Sequence, residues 1–109
     1  MGFKVKFWLE KDGELVFSSG RENLLRLIRD LGSLNRAAKE LSMSYRAAWG
    51  KIRDTEKKLG WKLVEIKGRR KHMTLTKEAA DLLERFASFE KEATKVIQEL
   101  YKRKFPQGP

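Results

Sequence analysis

Gly32-Ser33-Leu34-Asn35-Arg36-Ala37-Ala38-Lys39-Glu40-Leu41-Ser42-Met43-Ser44-Tyr45-Arg46-Ala47-Ala48-Trp49 is the stretch that decides the fold of this chain. Its spacing predicts two short helices joined by a tight Ser42-Met43 turn. Ala37, Ala38, Leu41, Ala48 and Ile52 fall where two crossing helices must touch. Ser44, Tyr45, Arg46, Lys51 and Arg53 fall on the outer side of the second helix. A helix with a packed inner face and an outer face of donors can enter the major groove of DNA and meet phosphates and base edges. The pattern therefore predicts a helix-turn-helix.

Downstream, Ser44 has the side chain of an N-cap for a helix running to about Leu59, with Gly60 as its left-handed end. Lys62 to Ile66 reads as a strand and Met73-Thr74-Leu75 as its partner. Between them Lys67-Gly68-Arg69-Arg70-Lys71-His72 forms a basic hairpin tip, with Gly68 as the turn residue. A helix-turn-helix followed by such a hairpin is a winged helix. Upstream, Phe3, Val5, Phe7 and Leu9 alternate with Lys4, Lys6 and Trp8 in the period of a half-buried strand. Asp12-Gly13 supplies a turn and Leu15-Val16-Phe17 a returning strand, making a hairpin. Ser19 and Glu22 have capping-box spacing ahead of a helix that buries Leu24, Leu25, Ile28 and Leu31 and stops at Gly32. Ser33 caps the next helix.

Thr76 begins a long final helix. Ala79, Leu82, Phe86, Phe89, Ala93, Val96 and Leu100 repeat at alternating spacings of three and four, the seam of a coiled coil, and Leu83, Ile97 and Tyr101 widen it. Much of so long a helix overhangs a small domain, so an apolar stripe along it calls for a second helix. Leu82, Phe86, Phe89, Ala93, Val96 and Leu100 are accordingly expected to pair two protomers. The expected fold class is mainly α with small β: a winged helix-turn-helix over residues 1–75, preceded by a β-hairpin and followed by a dimerisation helix over 76–104. Residues 105–109 are expected to form a flexible tail.

Of the net charge of +10, residues 42–75 hold +7, with ten basic and three acidic side chains. Such concentration on the third helix and the wing points to a polyanionic partner. The chain has no cysteine and one histidine, which excludes a disulfide framework or thiolate metal site, so no metal or cofactor is expected. No apolar run approaches the length of about 18 residues that suggests a membrane span, and no signal peptide is evident, so no membrane partner and a cytoplasmic location are expected. Asp54 and Glu56 lie two apart on a helix and do not face each other. Neither a Walker loop nor a dinucleotide fingerprint occurs. The chain is not expected to be an enzyme.

The candidate nucleic-acid-binding residues divide by reach. Arg46 has the fork for a guanine edge, and Tyr45 can meet a phosphate or a thymine methyl. Trp49 belongs either to that face or to the core, because indoles are often largely buried. Ser33 and Ser44 read first as caps, beside which a phosphate can dock. Lys51 and Arg53 flank the same helix as phosphate contacts, whereas Lys57 and Lys58 lie too far along it. Arg69, Arg70 and Lys71 are expected to reach the adjacent minor groove or its phosphates, against the alternative of a merely solvated charge run.

Gly32-Ser33 through Leu63-Val64-Glu65, with Ile52, Glu56, Leu59-Gly60 and then Thr74-Leu75-Thr76, resembles the winged helix-turn-helix of LysR-type regulators. Ser44-Tyr45-Arg46-Ala47-Ala48-Trp49 and the leading hairpin more closely resemble the N-terminal DNA-binding domain of ModE, the molybdate-responsive regulators. The resemblance covers roughly residues 3 to 100. It implies a homodimeric transcription regulator on a two-fold site in double-stranded DNA, with the third helix in the major groove. It does not extend to the molybdate-binding domains, and no small-molecule effector is evident. The alternative is an architectural chromatin protein that coats DNA without reading its sequence.

Overall fold

A computed structural model describes residues 2–109. The chain order is β1 (Trp8–Lys11), β2 (Glu14–Ser18), α1 (Ser19–Leu31), α2 (Leu34–Glu40), α3 (Tyr45–Leu59), β3 (Val64–Lys67), β4 (His72–Leu75) and α4 (Lys77–Lys104). This is the mainly helical winged helix-turn-helix expected from the sequence. Each helix opens on a hydroxyl cap. Ser18, Ser33, Ser44 and Thr76 accept from the backbone N–H three residues on, satisfying a donor the helix itself leaves free.

β1 and β2 pair antiparallel around Asp12-Gly13, both at positive φ (54° and 79°), the backbone a two-residue hairpin demands. The strand expected from Phe3 to Leu9 is shorter at its start. β2 ends at Ser18, opposite Trp8, because the chain turns there into α1. Residues 2–7 therefore find no ladder partner and lie along α4 as an arm: Phe3 packs on Tyr101 (5.0 Å between ring centroids) and Phe7 edge-on to Phe89 (5.5 Å). The cap of α1 is Ser18 rather than Ser19, and Glu22 is not a capping-box partner. Glu22 is buried and paired with Arg26 at 3.2 Å.

The core joins all four helices to β2 and the wing, with Phe17, Leu24, Leu25, Ile28, Ala37, Ala48, Ile52 and Leu63 almost wholly buried. Phe17 meets Phe86 edge-to-face at 5.1 Å, the arrangement aromatic quadrupoles favour. Leu82 and Phe86 thus correct part of the expected dimer stripe. They are 7% and 2% exposed because the first half of α4 packs on its own domain. Phe89, Val96 and Leu100 remain exposed, and Ala93 is half-buried. After α4 the chain folds back on itself. Phe105 stacks against Tyr101 at 5.4 Å, and the N–H of Gly108 donates to the carbonyl of Phe105 at 3.2 Å.

β3 and β4 pair in register from Val64–Leu75 to Lys67–His72, enclosing residues 68–71, with Gly68 and Lys71 at positive φ. Thr76 locks this wing to α4. Its hydroxyl donates to Lys62 O (2.7 Å) and accepts from Ala79 N (3.1 Å), while its N–H bonds Leu63 O (3.0 Å).

Candidate nucleic-acid interface

The turn before α3 is built by backbone geometry. Ser42 takes φ 54°, and Met43 N donates to Ala38 O at 3.0 Å, so the chain reverses tightly enough for Ala37 and Ala38 to meet Ala48 and Ile52. The small residues let the two helices approach closely. Ala48, Ile52 and Thr55 form the buried inner face of α3, and the helical repeat then sets Tyr45, Arg46, Lys51 and Arg53 outward.

Hydrogen bonds fix the far half of α3 to the hairpin. The Arg21 guanidinium donates to Asp54 (2.8 Å), Thr55 Oγ1 (2.6 Å) and Val16 O (3.3 Å). Thr55 donates in turn to Val16 O (2.8 Å), and Lys58 reaches Leu15 O (2.9 Å) and Asp54 (3.1 Å). Arg21, through its hydrogen bond, and Lys58 beside it hold the Asp54 carboxyl below the usual range. Glu56 forms no ion pair among the described residues. Its carboxylate accepts the N–H of Leu63 at 2.8 Å, tying α3 to the start of the wing. Apart from the i,i+4 pair of Asp54 and Lys58, sequence spacing gave no sign of these contacts, because the partners are not helical neighbours.

The outer face carries little such bonding. Tyr45 is half exposed, Arg46 and Lys51 are exposed, and among the described residues their side chains make no hydrogen bond or ion pair within the protein. Trp49 takes a place between the two alternatives. It packs against the core, yet its ring meets Tyr45 edge-on at 6.4 Å and the Arg53 guanidinium lies 4.8 Å above it. This cation–π contact orients Arg53. Ser33 and Ser44 act as caps, their hydroxyls accepting from Arg36 N (3.1 Å) and Ala47 N (3.0 Å).

Gly50 lies beside these side chains and was not singled out from the sequence. It is exposed in the middle of α3, one turn from Arg46 and Arg53, and a Cβ there would meet nothing within 4 Å. Glycine inside a helix costs about 1 kcal/mol relative to alanine, and no contact in the fold requires it here. The signal available was a glycine amid strong helix formers.

At the wing tip Arg69, Arg70 and Lys71 are exposed and, among the described residues, unpaired with acids; the wing's ion pair is Lys67–Glu65 at 3.6 Å. His72 is also exposed, its ring lying against the Gly32 backbone. Among the described residues no three histidine or acidic side chains gather as a metal site, and no helix is long and apolar enough to cross a membrane.

Residues 23–80, from α1 into the first turn of α4, match the family model described as the bacterial regulatory helix-turn-helix protein, lysR family. The chain belongs to this family. The β1–β2 hairpin and most of α4 lie outside the matched segment. Among solved structures, it is similar to the BenM DNA-binding domain in complex with catB site 1 DNA. That likeness has a TM-score of 0.59 at 16% identity, over 83% of this chain and 96% of the other. ArgP from Mycobacterium tuberculosis is similar at TM-score 0.56 and 24% identity, over 76% of this chain and 30% of that one. CrgA, a LysR-type transcriptional regulator from Neisseria meningitidis, is similar at TM-score 0.51 and 27% identity, over 84% of this chain and 31% of that one. The chain therefore spans under a third of the ArgP and CrgA chains. A comparison with curated proteins gives no match.

Proposed function

We propose that this protein binds duplex DNA sequence-specifically as a homodimer and regulates transcription. The observation that carries the reading is the division of α3 into an anchored inner face and an outer face whose donors Tyr45, Arg46 and Lys51 are left unused by the fold. In this reading α3 enters the major groove. Arg46 forks to a base edge, Tyr45 meets a phosphate or methyl, and Trp49 holds Arg53 toward the backbone. Gly50 lets the α3 backbone approach the groove wall closely. Lys51, Arg53 and the wing residues Arg69, Arg70 and Lys71 neutralise phosphates, with backbone N–H groups beside Ser33 and Ser44 assisting. The distal part of α4, through Phe89, Ala93, Val96 and Leu100, pairs two protomers. Their recognition helices then address half-sites about 34 Å apart, or further if the long helices hold them apart. The BenM domain in complex with DNA supports the choice of partner. The leading hairpin keeps the finer likeness to ModE-type domains in the reading. A cytoplasmic, non-catalytic role follows from the same proposal.

Selection of bound fragments from sheared genomic DNA at physiological salt tests it. Recovery of a two-fold repeated motif supports the regulator. Uniform recovery of all fragments replaces it with an architectural DNA-coating protein.

A further inference from the structure

The overhanging end of α4 carries two separate faces. Val96 and Leu100 lie on one, the side that the proposed function gives to a second protomer. The helical repeat turns Thr94, Gln98 and Tyr101 to another side. There the N-terminal arm covers the helix only in part, and an open groove of about 1080 Å³ runs between arm and helix, closed at one end by the tail. Pairing of protomers through Val96 and Leu100 would leave this groove unfilled. Its volume is that of a roomy small-molecule site, which runs to roughly 1,000 Å³.

The lining sets the chemistry of an occupant. Tyr101 has Phe3 on one hand and Phe105 on the other, at 5.0 and 5.4 Å between ring centroids. The outer two rings are 36% and 46% exposed, so they offer stacking surface to a flat unsaturated body. Around them stand Lys4, Lys6 and Lys102, all exposed and without an ion pair among the described residues. No acidic side chain is among the described residues that line the groove. Three unneutralised cations favour an anion and repel a cation. Thr94 and Gln98 add neutral hydrogen-bonding groups to the same wall. An inorganic anion would leave the rings unused, and an uncharged aromatic guest would leave the lysines unused.

We propose that this groove binds a small planar aromatic anion, with its ring against Phe3, Tyr101 and Phe105 and its acid group toward Lys4, Lys6 and Lys102. The site goes beyond the proposed function and stands or falls independently of DNA binding. Its two walls come from opposite ends of the chain, so no local motif announces it.

The probe is 2-naphthoate, with 2-naphthalenemethanol as its uncharged counterpart, each titrated into the full chain and followed by amide NMR. For naphthoate the expected result is a set of shifts centred on residues 2–6 and 94–108, with a dissociation constant of about 1 mM or tighter. The alcohol should bind about tenfold more weakly, because it forgoes three exposed ion pairs that are each worth a few-fold. Lys102→Gln should weaken naphthoate a few-fold and leave the alcohol unchanged, whereas Phe105→Ala should weaken both. Lys95→Gln, on α4 but outside the groove, should change neither. The same spectra show that each variant remains folded. Shifts centred on α3 or the wing would reduce the binding to general attraction by net charge and overturn the site. So would an alcohol that binds as tightly as the acid, an affinity indifferent to Lys102→Gln and Phe105→Ala, or no shifts up to the solubility of the probe.

Discussion

The imidazole of His72, at the root of the wing, lies directly against the backbone of Gly32, at the junction of α1 and α2. Met73 N donates to Gly32 O at 3.0 Å in the same place. Gly32 therefore meets two demands, a left-handed φ of 67° and the absence of a Cβ under the ring. Gly32→Ala is expected to cost about 1–2 kcal/mol for the backbone conformation alone, with the collision adding to it. His72→Ala in the same chain should return the collision's share and leave the backbone share. Melting temperatures of the two single variants and the double variant check this, at about 4–8 °C per kcal/mol. Strict additivity would show that ring and glycine are not coupled.

Arg46 and Arg69 should separate sequence reading from phosphate attraction. Arg46→Ala is expected to lose about 1–3 kcal/mol at one base position and relax preference there. Arg69→Ala should weaken all sequences alike and reduce the salt slope by about one. Titration of a selected site and its single-base variants at several salt concentrations distinguishes them. An Arg46→Ala protein with unchanged preference would remove α3 as the reading helix.

Gly50 sets stability against binding. Gly50→Ala should stabilise the fold by about 0.5–1 kcal/mol, since the new methyl enters open space on a helix. It should weaken DNA binding by obstructing close approach of α3. Urea unfolding and a DNA titration on the same preparation decide the matter. Stabilisation with undiminished affinity would mean that the groove does not come near this residue.

Glu56 should act through its acceptor rather than its charge. Glu56→Ala leaves the Leu63 N–H without its 2.8 Å partner, a loss of about 1–3 kcal/mol. Glu56→Gln retains an oxygen and should cost less. Equal losses in urea unfolding would assign the effect to charge.

Two carboxyls give opposite dependences on pH. Asp54 is held low, first by its hydrogen bond from Arg21 and then by Lys58. Its stabilisation is therefore complete above the unfolded value of about 3.9 and is lost as pH falls through its lower folded value. Glu22 is pushed up, first by burial and then by the Glu90 carboxylate, against the pull of Arg26. Its contribution is present below about 4.3 and lost as pH rises through the higher folded value. Glu22→Gln should thus raise the urea midpoint near neutral pH, with the gain vanishing at about pH 4 and below. Asp54→Asn should lower it near neutral pH and make no difference once the carboxyl is protonated.

Local signals were legible in the sequence. Ser33, Ser44, Gly60 and Thr76 mark helix ends because a cap needs only its own few neighbours. The outward set of Tyr45, Arg46, Lys51 and Arg53 follows from helical spacing alone. Apolar periodicity, by contrast, records that a face must be covered without saying by what. The stripe on α4 therefore read as one seam, though Leu82 and Phe86 serve the protomer's core and Phe89 meets the arm. Likewise the alternation of Phe3, Val5 and Phe7 suits both a paired strand and an extended arm laid on a helix. The contacts of Arg21 with Asp54 and Thr55 span more than thirty residues and leave no local mark.

The unused donors on the outer side of α3 make scaffold and code separable. The side chains that hold this helix are Ala48, Ile52 and Thr55 within and Arg21 from beside it, while Tyr45, Arg46 and Lys51 give the fold no hydrogen bond. Under the proposed function, a lineage carrying this domain would exchange one operator for another by substitutions on that face, without first acquiring stability to spend on the change.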